Sequence, residues 1–344
     1  MRLRPVLLAS LFGLVHLAAW GETVANLYEV SEPVASQAPQ ERDQATQRAL
    51  ETLVLRLTGD AKAYGGAALA SVRKDPQQII SQYGYQAGPP QVLQVDFDPV
   101  STDRALRQAG LATWGANRPS ILVWWLNDSP AAATLAADAQ PSAAPLRQAA
   151  RHRGLPLKLP MADLPEQLAA TAKNLEAADP APLQSLSQRY GADALLAVHA
   201  VPSGERWQAR WRLWLGGQKE QGNVEAADQA GLADAVMLAV AQRLAPRYTV
   251  KPGASGDLTV EVQGMTLDHY AELGRVLDTL GGRLLSAQGD RVLYQVTASP
   301  DQLRAQLSLA RLQEVPASAP ADAPIPATPG AAPAPAPEPL RFHW

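Results

Sequence analysis

The chain contains no cysteine in 344 residues, which excludes disulfides, thiolate metal sites, a thiol nucleophile and a lipid-modified cysteine. Aromatic residues make up only 6%, so any core must be built mainly of Leu, Val and Ala. A Gly-x-Ser-x-Gly elbow, a glycine-rich phosphate loop, a dinucleotide fingerprint and a His-Glu-x-x-His pair are all missing. Positive charge is also short. Lys plus Arg number 30 against 33 Asp plus Glu, and the net of -3 gives no bulk attraction to nucleic acid or anionic lipid.

What is present begins with Arg2 and Arg4, an apolar run over residues 6–19, and the small residues Ala19 and Gly21 before Glu22. This pattern predicts a cleaved signal peptide over residues 1–21, and with it a periplasmic protein that is not a lipoprotein. Cleavage removes two arginines and no acid, leaving 28 basic against 33 acidic residues, a net of -5. Beyond residue 21 the apolar run 121–126 is strand-sized and no apolar run is long enough to cross a bilayer, so no membrane span is expected after cleavage.

The remaining chain reads as α+β, in two or three small α/β modules with mixed or antiparallel sheets. The first covers 22–127. Its clearest signal is Ala45, Ala49, Leu50, Leu53, Val54 and Leu57 at helical spacing, with Pro39 near the start and Gly59 after the end. A weaker helix is expected over 67–83, a half-buried strand at 91–98, and a helix capped by Ser101 running to Leu111. Residues 128–145, poor in periodicity, predict a low-complexity loop.

The second module, 146–250, has a strand at 194–201 and a hairpin partner in which Trp207, Ala209, Trp211, Leu213 and Leu215 alternate with Arg206, Gln208, Arg210, Arg212 and Trp214. A helix closed by Pro246 follows. After a linker at 251–257, residues 258–315 read as strand, helix, strand, strand, helix, a ferredoxin-like (βαββα) plait. Residues 316–344 read as a disordered Pro/Ala-rich tail with an aromatic end, its stretch 316–339 an extended tether of up to roughly 75 Å.

Candidate chemistry is thin. Ser71 and Lys74 fit Ser-x-x-Lys, in which an amine deprotonates a serine, but its companion motifs are absent. Asp96 and Asp98, two apart on a strand, would share a face and could hold a cation or act as acid and base; the competing reading is a solvated face. The histidines at 152, 199, 269 and 343 have no ligand spacing, so no metal and no cofactor is expected. His199 reads as a hydrogen-bonded core residue, and His152 as part of a solvated helix end.

The binding candidates are Arg206, Arg210, Arg212 and Trp214 on one strand face, where guanidinium and indole planes suit sugars, peptides or anionic polymers. Phe342 and Trp344 are the others. They would anchor the tail on a partner or dock it on its own module.

Arg48-Ala49-Leu50 to Thr58-Gly59, the strands at 93–97 and 121–125, Arg153-Gly154-Leu155-Pro156-Leu157 and Tyr190-Gly191-Ala192-Asp193 carry a likeness. Through them the mature chain resembles an exported bacterial family called domain of unknown function 2066. Residues 183–245 are also similar to the amino-terminal α/β module of the translocation protein TolB. These likenesses imply an envelope role by binding and carry over no catalytic positions. The expected function is a non-catalytic binding or assembly factor of the bacterial envelope with an envelope protein partner. The alternatives are a hydrolase of envelope polymer and a small-ligand sensor.

Overall fold

The computed structural model describes residues 22–250, 252, 256–278, 280–315 and 339–344. The expected signal peptide and residues 316–338 of the tail lie outside the described residues. The fold is mixed α+β, with three main sheets.

The first sheet holds β1 (Glu29–Val34), β2 (Ile80–Gln86) and β3 (Gln91–Phe97), all antiparallel with β3 in the middle. Helix α1 (Pro39–Thr58) covers it, burying the six apolar residues picked out by spacing and ending at Gly59 with φ 67°. The helix expected over 67–83 breaks at Pro76, which lacks an N–H and restrains Asp75. Beyond the break the chain extends into β2. Helix α2 (Pro99–Gln108) is capped by Asp98, which accepts the Ser101 N–H at 2.8 Å, and not by Ser101.

The second sheet contains β4 (Ile121–Asp128), β5 (Ala133–Leu135), β6 (Ala194–Ser203), β7 (Arg206–Leu215) and β8 (Gln218–Ala226), in the order β8-β7-β6-β4-β5. β4 and β6 are parallel, and the other neighbours antiparallel. Placing β4 with the first module is therefore corrected. Its six apolar residues are all buried because both faces are covered, as a central parallel strand requires. Ile121, Val123 and Trp125 face α3 (Ala143–Arg153), while Leu122, Trp124 and Leu126 pack with α4 (Ala181–Ser187) on the other side. Helix α5 (Gln229–Tyr248) joins the α3 face and runs two residues past Pro246.

Two further departures have simple causes. Residues 133–135 of the expected loop pair with β4 and bury Leu135, Ala136 and Ala137. β8 escapes the apolar signal because it is a polar edge strand that pairs along the whole of β7.

The third sheet is built from β9 (Gly256–Gln263), β10 (Arg283–Gln288), β11 (Arg291–Ala298), β12 (Gln313–Glu314) and β13 (Leu340–His343), with α6 (Leu267–Asp278) and α7 (Pro300–Leu309) between strands. Its order is β10-β11-β9-β13-β12. The last residues of the chain thus return as a strand parallel to β9, wedged between β9 and β12. Phe342 is 1% exposed and belongs to the core of this sheet, and Trp344 stacks on His269 with centroids 4.3 Å apart. Phe342 as a free anchor for a partner is corrected accordingly.

The first and second sheets meet at a buried arginine. The Arg118 guanidinium, 0% exposed, donates to the carbonyls of Gly115, Trp114, Arg56, Arg153 and Gly154 at 2.8–3.3 Å and lies 4.2 Å from the Trp114 ring centroid. Burial, and then the neighbouring Arg56, pull its pKa down to about 9. Arg56 is itself lowered to about 10 by burial and by Arg153, and donates to Leu27, Glu29 and His152 carbonyls. Gly154, at φ 65°, closes the site: a Cβ there would come within 2.8 Å of both Arg118 Nη1 and Arg56 Cγ.

This packing makes two positions sensitive to substitution. Arg118→Met leaves the carbonyls of two helix ends without donors and is expected to lower stability by about 3–5 kcal/mol. Arg118→Lys should recover little of it, because an ammonium cannot reproduce the fork. Phe342→Ala should cost about 3–5 kcal/mol in the third sheet. Urea unfolding followed by tryptophan fluorescence measures all three variants.

Candidate functional site

A two-lobed cleft opens at the amino-terminal ends of β4 and β6, where α7 of the third unit approaches α5. The first lobe, about 520 Å³, is walled by Leu122, Gln184, Gln188, Leu195, Trp214 and the Gly216-Gly217 turn. The second, about 670 Å³, is walled by Arg247, Tyr248, Asp301, Arg304 and Ser308. Asp193, Leu215, Gln218 and Arg311 line both.

The fold positions these groups firmly. Ser120 N and Oγ both donate to Asp193 Oδ2 at 2.7 Å, fixing the carboxylate at the start of β6. Arg247 donates to Glu220 at 3.1 Å, and Arg304 is held by Glu314 and Asp301 at 2.9–3.3 Å. Ser187 Oγ donates to the Leu183 carbonyl and Ser308 Oγ to that of Ala305, so neither serine hydroxyl is directed at a base. The arrangement suits binding of a polar and apolar ligand.

Trp214, a candidate from the sequence, lines the first lobe. The arginines beside it do not: Arg206 lies 3.9 Å from Glu225, Arg210 pairs with Glu176 at 2.9 Å, and Arg212 donates to Gln221 at 3.3 Å. Each of the three has an acidic or amide partner on a neighbouring strand or helix end. Trp211, on the opposite phase, is buried against Gly222, where a Cβ would lie 2.7 Å from the ring. Phe342 and Trp344 belong to the third sheet, away from this face.

Ser71 and Lys74 are exposed on the short helix Ala70–Lys74 and share no hydrogen bond. Asp96 accepts from Gln82 and Gln94 while Asp98 caps α2, so the two carboxylates do separate work. Burial disfavours the Glu272 carboxylate and raises its pKa. Among the described residues no group of three or more His, Asp or Glu is arranged to hold a metal ion, and no helix is long and apolar enough to cross a membrane.

Two histidines organise polar clusters elsewhere. His199 Nδ1 lies 2.6 Å from Glu176 and its Nε2 3.0 Å from Asp128, at the far end of the parallel strands. His152 is no solvated helix end: its Nε2 lies 3.0 Å from Thr52 Oγ1 on α1, and its Nδ1 3.2 Å from Asp234 on α5. Thr52 also donates to Glu32 at 3.1 Å. The Thr–His–Asp order resembles a hydrolytic triad, but the threonine is buried and outside both lobes of the cleft. It works as a polar clasp between the first and second sheets.

The cleft carries no sequence signal because its walls are strand ends, loops and helix ends from five separate segments that share no common motif. Arg311 had one usable signal, its place two residues before β12 in a turn without glycine.

A family model described as Domain of unknown function (DUF8605) matches residues 21–115, 95 of 344 residues, which takes in the first sheet with its helices. That segment is similar to a family of unknown function. No curated protein matches the chain. No solved structure matches it either. The cleft lies outside the matched residues.

The clasp has a definite pH dependence. Hydrogen bonds to Asp234 and then Glu32 raise the His152 pKa above its usual 6.5, so its stabilisation is complete below that value and is lost as pH rises through the raised one. Burial opposes the Asp234 carboxylate, but hydrogen bonds from His152 and Arg153 outweigh it and hold its pKa below 3.8. Its share is lost only as pH falls through that depressed value. The stability difference between the wild type and His152→Gln should therefore shrink as pH rises above 6.5 through the raised His152 value, as read from urea midpoints.

Proposed function

We propose that this is an exported, non-catalytic binding or assembly factor of the bacterial cell envelope, and that the two-lobed cleft is its contact site. The observation that carries this reading is the cleft itself, an open recess whose polar walls are pre-set by Ser120, Glu220 and Glu314 and whose serines are turned to their own helices. Binding needs such fixed walls, whereas hydrolysis needs a nucleophile within reach of a base. Exposure of Ser71 and Lys74, and the capping duty of Asp98, weaken the hydrolase alternative.

The leader pattern at residues 1–21 supports export to the periplasm, and the likenesses to domain of unknown function 2066 and to the TolB module support an envelope setting. A sensor of small ligands is the second reading, favoured by the first lobe, whose volume lies in the range of ligand pockets.

Photo-crosslinking in the periplasm tests the proposal. A benzoylphenylalanine at Gln188, in the cleft, is expected to give a discrete protein adduct that the same group at Lys74 does not give. Adducts alike at both positions, or at neither, would remove the cleft as a protein contact site. Mass spectrometry of the secreted chain should find Glu22 at its amino terminus.

A further inference from the structure

Helix α7 ends in a way that costs stability and leaves one cation unused. Arg311 N–H donates to the Ser308 carbonyl and Leu312 N–H to that of Leu307, both at 3.0 Å, and the buried Leu312 and Leu307 sit at the two ends of this turn. That is the pattern in which glycine is the usual residue at the left-handed position. Here the position is Arg311, at φ 63°. A side chain there strains the backbone, a cost that a use of the guanidinium would offset.

The work is not local. Helices α5 and α7 both bring carbonyl ends to the cleft, and a cation beside such ends is ordinarily an offset to the helix dipole. Yet Arg247 sits at the end of α5 with Glu220 as partner, and Arg304 on α7 is held by Glu314 and Asp301. The Arg311 guanidinium has neither a hydrogen bond nor an ion pair among the described residues, and it is exposed in the wall shared by both lobes. Glu272 feels it only at a distance. Behind it, Leu122, Leu195, Leu215 and the indole of Trp214 give the first lobe an apolar lining.

We infer that the cleft binds a small amphiphilic anion, a carboxylate or phosphate group on an apolar body, with Arg311 as the anchor for the charge and the first lobe as the seat of the apolar part. An exposed guanidinium without a partner calls for an acceptor-rich group, and its fork is matched to carboxylate or phosphate oxygens. This rests on the proposed binding role and names the chemistry of what is bound. A peptide carboxyl terminus and a fatty acid share that chemistry.

The test uses the full secreted chain and titration calorimetry with acetyl-Ala-Leu-Phe as the free acid, its carboxamide, and decanoate. One of the two acids should bind, the carboxamide should bind at least about tenfold more weakly than the free peptide if the peptide is the ligand, and the acid that binds identifies the source. Arg311→Gly and Arg311→Asn, both tolerant of a left-handed backbone, should weaken that binding about tenfold or more while leaving the Tm unchanged or higher. A lower Tm in both variants would make Arg311 a structural residue and overturn the inference, as would binding that ignores the substitution. If no acid binds while the Gln188 crosslink still forms, the anion assignment fails and the binding-factor reading stands. If neither occurs, both fail.

Discussion

The five carbonyls that converge on the Arg118 guanidinium fix how the first sheet sits on the second. They come from the end of α1, the end of α3 and the turn around Trp114, segments distant in sequence that share an excess of backbone acceptors. Each helix end would need a cap of its own; one planar fork serves both. The cost is a charge with no access to water, large enough to drag an arginine pKa down to about 9. The geometry is unforgiving as a result. Gly154 leaves no room for a Cβ beside the two guanidinium stems, and Gly59 leaves none beside Ala245 of α5.

From this joint the polar contacts spread in one direction. The His152 carbonyl accepts from Arg56 while the His152 ring spans Thr52 and Asp234, so one residue of α3 touches both α1 and α5. Trp114 donates its N–H to the Leu57 carbonyl and stacks on Tyr248, which brings the end of α5 into the same cluster. Tyr248 then forms part of the second lobe of the cleft. The cleft and the joint thus share helix α5.

What could be read in advance followed the range of the signal. α1, β3 and β7 announce themselves through regular spacing, because a helix or strand with one buried face must repeat at 3.6 or 2 residues. The apolar run of β4 marks it as a strand but not its sheet, since such a run says that both faces are covered without saying by what. Arg118, beside Pro119, looks like any loop arginine; its burial depends on carbonyls from residues 56, 153 and 154. β8 and β13 were illegible for opposite reasons. One is mostly polar, with only Val224 and Ala226 turned to the core, and the other is four residues after a long Pro- and Ala-rich stretch, with only Phe342 and Trp344 to mark it.

The return of β13 changes what the tail means. As a free tether, its aromatic end would be a partner's handle. As a strand between β9 and β12, it is a structural part of the third sheet, and Val315 N–H donates to the Arg341 carbonyl at 2.8 Å beside it. Arg311 lies two residues before β12, on the short stretch that links α7 to the strand the tail holds in place. The cleft wall and the tail are therefore mechanically continuous. Removing the tail would slacken the backbone that sets Arg311 in its left-handed position, so a lost partner after truncation would report on the cleft as much as on the tail. Only substitutions that keep β13 paired, at Arg311 or in the first lobe, separate the two.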